Sequence, residues 1–228
     1  MKPYVSRPSS IIRRISPVAA VVLAACFLAG GCVCRVGSPP EINRLVLDYS
    51  LSNAVSVRGG PFEGETITVS RFSASEECRG TTMLYSFSSG ERSPYHYHRW
   101  YTSLPVMVTE WIINDISRAG LFHAVFSEQT YEKTRFYLEG RVTSCIEVRE
   151  GDRRKVVFGF TAALIDEVET APSERIVFQK DYYDERYLER PDPAGLTKAM
   201  SESMAVLSEE LLRDVALHVE DRRKSSGM

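Results

Sequence analysis

The stretch Leu104-Pro-Val-Met-Val-Thr-Glu-Trp-Ile-Ile-Asn-Asp-Ile-Ser-Arg-Ala119 is where the periodicity of the chain changes. Leu104, Val108, Trp111, Ile112 and Ile116 recur at three- and four-residue steps, which puts them on one face of a helix. Ser103 stands where an N-cap belongs, Pro105 falls in the first turn where a missing N–H costs nothing, and Gly120 follows the last turn. On both sides of this helix the apolar residues alternate with a period of two instead, so it separates two groups of strands.

Upstream, 44–51 (RLVLDYSL) reads as a first strand and 65–73 (ETITVSRFS) as a second. The segment 75–80 is a polar turn. Residues 81–88 (TTMLYSFS) and 95–102 (YHYHRWYT), joined by Ser-Ser-Gly-Glu-Arg-Ser-Pro, form an aromatic β-hairpin. Downstream, after a short apolar piece at 122–126, three strands over 134–149, 155–166 and 174–183 are joined by turns at Glu150-Gly-Asp-Arg153 and Ala171-Pro-Ser173, an antiparallel meander. The last element, 193–224, is helical, with Leu196, Met200, Met204, Leu207, Leu211 and Val215 forming its apolar stripe. Strands, helix, strands, helix predicts an α+β fold of two layers: a mostly antiparallel sheet with both amphipathic helices packed on one face.

The N-terminus carries an address. Lys2, Arg7, Arg13 and Arg14 precede the apolar run that starts at Val18, which is too short to span a bilayer and ends in small residues before a cysteine. Ala29-Gly30-Gly31-Cys32 resembles a bacterial lipobox, and so does Leu23-Ala24-Ala25-Cys26. Cleavage before Cys32 leaves a short Arg-Val-Gly-Ser-Pro-Pro spacer, whereas cleavage before Cys26 leaves an apolar one. The expected organisation is therefore a lipoprotein signal peptide at 1–31, an acylated Cys32 and tether at 32–43 with Cys26 as the alternative acceptor, one domain at 44–220, and a flexible tail at 221–228. The residue after Cys32 is Val33 rather than aspartate, which resembles lipoproteins sent to the outer membrane, facing the periplasm. The formal charge of −2 includes the four basic residues of the leader, so the remainder is more acidic and offers no basic stripe for nucleic acid.

Export places the domain where disulfides persist. Cys78 and Cys145 are either a bridge or two free thiols, and the spacing leaves both readings open, with free thiols the simpler. His96 and His98 are two apart and would share one face of a strand, yet no ligand nearby completes a site, so no metal and no cofactor is expected. The chain has no G-x-S-x-G, phosphate loop, dinucleotide fingerprint or H-E-x-x-H, so it is expected not to be an enzyme. Aromatic residues are the candidates for partner contact: Tyr95, Tyr97, Trp100 and Tyr101 in the hairpin, and Tyr182 and Tyr183 in the run Asp181-Tyr-Tyr-Asp-Glu-Arg186. Each group has a second reading. The hairpin rings can pack under the first helix, and the charged run can be a guarded edge strand.

Several of these pieces together resemble the ABC-type transport auxiliary lipoprotein family, small lipoproteins related to paraquat-inducible protein C that accompany MCE-type lipid transport systems. They are the lipobox and tether, the first strand Leu45-Val-Leu-Asp-Tyr-Ser-Leu51, and His98-Arg-Trp100-Tyr-Thr-Ser-Leu-Pro105 running into the helix. The meander and a last helix with Ala205-Val-Leu-Ser-Glu-Glu-Leu211 complete the set. The likeness spans about Leu45 to Val215. After Trp100 the family's small-acidic-Pro-Leu order is replaced here by Tyr-Thr-Ser-Leu-Pro, and the segment 75–80 and the extra cysteines are not family features. The resemblance implies an accessory of envelope lipid transport whose partners are an MCE-domain protein and ABC transporter components, with a lipid ligand and self-association as further expectations. An outer-membrane structural or assembly lipoprotein is the alternative with the same anchor.

Overall fold

The computed structural model describes residues 40–51, 62–87, 89–128 and 133–225. The leader, Cys26, Cys32 and most of the tether lie outside the described residues. A compact unit begins at Glu41.

The meander is as expected and forms the backbone of the sheet. Strands β7 (Phe136–Glu150), β8 (Arg153–Asp166) and β9 (Ile176–Tyr187) pair antiparallel in turn. The other edge of β7 is unlike the expectation. Strands β2 (Phe62–Val69), β3 (Ser73–Ala74) and β4 (Thr82–Phe87) lie along it one after another, all parallel to it. β4 forms the antiparallel hairpin with β5 (Arg92–Trp100), β1 (Asn43–Leu45) runs parallel to β5, and β6 (Phe122–Ser127) runs parallel to β2. The sheet is mixed, which corrects the expectation of a mostly antiparallel one. The reason is that 62–87 accompanies β7 in the same direction, a non-local pairing that alternation within each strand does not report.

Helix α1 (Leu104–Ala119) starts after Ser103, whose carbonyl accepts the first helical bonds while its hydroxyl makes no capping bond. It ends at Gly120, whose left-handed φ of 63° only glycine adopts without a Cβ penalty. A single helical turn, α2 (Pro172–Arg175), connects β8 to β9. The last helix, α3 (Pro193–Ser225), buries the whole stripe from Leu196 to Val215 and continues to Val219. It extends through Asp221–Ser225, the start of the segment expected to be a flexible tail. There Arg222 meets Glu169 at 3.7 Å and Arg223 stacks over Phe62. α1 and α3 both contribute to one core with Phe136, Phe158, Phe160 and Leu164, and they meet each other at Asp115 and Ser208.

Of the expected first strand, 44–51, only Arg44 and Leu45 pair in the sheet, as part of β1. From Val46 to Leu51 the chain leaves the sheet and crosses α1 and α3 as an extended strap. Trp111 Nε1 donates to the Leu47 carbonyl at 3.2 Å, Ser201 Oγ accepts from the Asp48 amide at 3.0 Å, and the Tyr49 ring lies 4.3 Å from that of Trp111. Elsewhere the polar turn 75–80 is a short 3-10 excursion, Glu76–Cys78, between β3 and β4. Cys78 and Cys145 are joined there with Cα atoms 5.9 Å apart, so the bridged alternative is the one present. Gly140 leaves the space that the Phe72 ring fills, since a Cβ would stand 2.2 Å from that ring.

Candidate interaction surface

The six aromatic candidates divide by the side of the sheet they face. Trp100 and Tyr182 are each 1% exposed and belong to the core, so they offer no surface to a partner. Tyr182 stacks on Phe160 and donates to Asp214 at 2.8 Å, which ties β9 to α3. Tyr97, Tyr101 and Tyr183 are exposed, at 52%, 65% and 56%. Trp100 is buried because its register partner is Leu45, and both turn inward at the end of the β1–β5 ladder.

Tyr95 is half-buried and already engaged. Its hydroxyl donates to Glu147, a fully buried carboxylate that also accepts from Arg149 Nε at 2.5 Å and lies 3.6 Å from Arg154. The guanidinium of Arg149 sits 3.6 Å from the centre of the Tyr85 ring, a desolvated cation–π contact. Burial first, and then the hydrogen bond that the hydroxyl donates to Glu147, push the Tyr95 hydroxyl up to about 12. Sequence reasoning missed Glu147 and Arg149. Their positions on β7 look like solvated charge until the register places Glu147 beside Tyr85 on the same face as buried Val156.

Asp115 was likewise unmarked, a carboxylate on the buried side of α1, which it shares with one other polar residue, Thr109. It is fully buried, and its Oδ2 accepts from both Tyr49 and Ser208 at 2.5 Å. Burial holds this carboxyl above the usual range, with the hydrogen bonds from Ser208 and Tyr49 and the charge of Arg118 opposing the shift and Glu209 adding to it. The folded state therefore binds the proton more tightly than the unfolded chain. Its contribution to stability is full below the ordinary aspartate value of about 3.9 and is lost as pH rises through the raised folded value. Asp115→Asn removes that titration. Urea unfolding across a pH series is expected to show the wild-type free energy of unfolding falling relative to that of the variant over this window.

The strand β9 is the longest free edge. Its twelve residues pair with β8 alone among the described residues. Lys180, Tyr182, Asp184 and Arg186 turn towards α3, where they meet Asp214, Ser203 and Glu202. Asp181, Tyr183, Glu185 and Tyr187 turn outward, with Tyr187 under the guanidinium of Arg153 and Lys155 bound to Glu185 at 2.8 Å. Two exposed tyrosines, Tyr183 and Tyr187, lie on its outer face. Near the opposite edge an open cleft of about 450 Å³ runs beside α1, lined by Val46, Tyr101, Met107 and Trp111. No group of three or more His, Cys, Asp or Glu side chains arranged for a metal occurs among the described residues.

The chain shares its fold with a DUF330 protein. That structure, from Xanthomonas campestris, superposes with a TM-score of 0.62 at 16% identity, covering 74% of this chain and 96% of its own. An uncharacterised protein of known structure matches with a TM-score of 0.59 at 13% identity, over 77% of this chain and 99% of the other. A dodecameric PelC from Paraburkholderia phytofirmans is a more distant match, with a TM-score of 0.42, 13% identity and coverage of 68% and 92%. No protein-family model and no curated protein matches the sequence. No helix among the described residues is long and apolar enough to cross a membrane.

Proposed function

We propose that the protein is a lipid-anchored, non-enzymatic accessory of an envelope ABC transport system of MCE type, which moves lipids or other hydrophobic molecules. The anchor is the acylated Cys32, and the domain hangs from the outer membrane facing the periplasm. The supports for this reading are the lipobox, the resemblance carried by His98–Pro105 and the fold shared with the DUF330 protein. The single observation that carries the adaptor role is the outer face of β9: a long edge whose inner side chains are all committed to α3 and whose outer tyrosines, Tyr183 and Tyr187, stand 56% and 47% exposed. Tyrosine on a rigid strand suits the centre of a protein interface, because it brings large contact area at low entropic cost.

Affinity purification of the acylated protein from envelope membranes tests the proposal. An MCE-domain protein or an ABC component is expected to co-purify, and Tyr183→Ala with Tyr187→Ala is expected to lower its recovery about ten-fold or more, the effect of losing one or two interface anchors of about 1–2 kcal/mol. Because both tyrosines are exposed, the same variant keeps the wild-type unfolding transition. Recovery of a surface-assembly complex without either transport component would reject the transport reading.

A further inference from the structure

We propose that the protein self-associates through β9, which pairs antiparallel with β9 of a second copy about a two-fold axis at Tyr182, so that the two sheets join edge to edge.

From 178 to 187 β9 runs beside β8 without a break in register, and the irregularity of the pair lies before this stretch, at Val177. Among the described residues its other edge meets no strand, and no further backbone hydrogen bond reaches it. Every second residue of a strand turns its N–H and C=O to the same edge, so a row of donors and acceptors stands open there.

Contacts on both faces fix the alternation of this stretch. Lys180, Tyr182, Asp184 and Arg186 bond to α3. Asp181 and Glu185, on the opposite face, bond to Thr161 and Lys155 of β8. Two such strands related by a two-fold axis keep their faces matched only when a residue, and not a peptide bond, lies on the axis.

Charge then selects the register, because like charges directly opposite destabilise an antiparallel pair and opposite charges stabilise it. With Lys180, Asp181, Asp184, Glu185 or Arg186 on the axis, that charged residue faces its own copy. With Tyr183 there, Lys180 faces Arg186 and Asp181 faces Glu185. With Tyr182 there, no like charges meet: Lys180 faces Asp184 on both sides of the axis, Gln179 faces Glu185, Asp181 faces Tyr183 and Phe178 faces Arg186. The side chains of Lys180 and Asp184 are 42% and 23% exposed, so neither is sealed under α3. Charges on an edge strand guard it against indiscriminate pairing. Here they leave one register open, and in it the strand is its own complement, which commits the edge to a second copy of this chain. Tyr183 and Tyr187 of both copies then share one outer face, whether or not a transporter is what meets it.

Gln179 gives the test, since it is exposed and its side chain makes no hydrogen bond among the described residues. Gln179→Lys sets a lysine opposite Glu185 on both sides of the axis, and Gln179→Glu sets a glutamate there. The full-length acylated protein, with thiols outside the Cys78–Cys145 bridge capped, is followed by sedimentation velocity in a large excess of detergent micelles. The wild type is expected to dimerise as its concentration rises. The lysine variant is expected to lower the dissociation constant and the glutamate variant to raise it, each by about five-fold from two cross-strand pairs. Hydrogen exchange in the peptide over 178–187 is expected to slow as the dimer forms, while that of β1 stays unchanged. A protein that is monomeric at every concentration overturns the pairing, as does a dimer whose β9 exchanges at the monomer's rate. Dissociation constants that do not move in opposite directions in the two variants overturn the register and the pairing with it.

Discussion

Arg135→Met is expected to lower the free energy of unfolding by about 3–5 kcal/mol, the cost of removing one partner from a buried ion pair. Arg135 donates to both oxygens of Asp166, through Nε and Nη2, and through Nη1 to Glu65 at 3.0 Å. The Asp166 side chain is fully buried and that of Glu65 is 12% exposed, so neither regains much water when the guanidinium goes. The three residues also lie on three different strands or their flanks, which makes this cluster the clamp at one end of the sheet where β2, β7 and β8 meet. Urea unfolding followed by circular dichroism checks it: the midpoint should fall with an unchanged slope. A loss below about 1 kcal/mol, the range of an exposed pair, would show that the clamp is solvated.

Cys78→Ser with Cys145→Ser is expected to cost about 4 kcal/mol, because the bridge closes a loop between residues 67 apart and the chain-entropy relation for that length gives this value. Both cysteines are nearly inaccessible, at 2% and 6%, and the bridge fastens the excursion between β3 and β4 to β7. Hydrogen exchange should therefore quicken first in β4 and β5. Reductant under partly denaturing conditions should bring the wild type down to the stability of the double variant and leave that variant unchanged. A double variant as stable as the wild type would mean that the excursion is held by β3 and β4 alone.

What was legible in the sequence was what repeats locally. The stripes of α1 and α3, the aromatic hairpin and the three strands of the meander each follow from a period of 3.6 or 2 within one segment. Four features were not legible, each because it depends on a contact between distant segments. The run 62–87 reads as separate strands and turns, and only the non-local register shows that it follows β7 in parallel. The segment 44–51 alternates like a strand throughout, yet side chains of Trp111, Ser201 and Asp115 take over from sheet bonds after Leu45. Glu147 and Asp115 look like surface charge in sequence, and burial with tyrosine and serine donors appears only in three dimensions. Among the candidate aromatics, alternation separates Tyr182 from Tyr183 and Trp100 from Tyr101, but which of each pair faces in depends on the helices that cover the sheet.

A photoreactive amino acid in place of Tyr183, activated in intact cells, decides whether β9 carries the adaptor role. The expected result is a cross-link to an MCE-domain protein or to a component of its ABC transporter, absent when the same group replaces Tyr97. No cross-link to either from Tyr183, with the protein folded and acylated, would rule out β9 as the surface that meets the transporter.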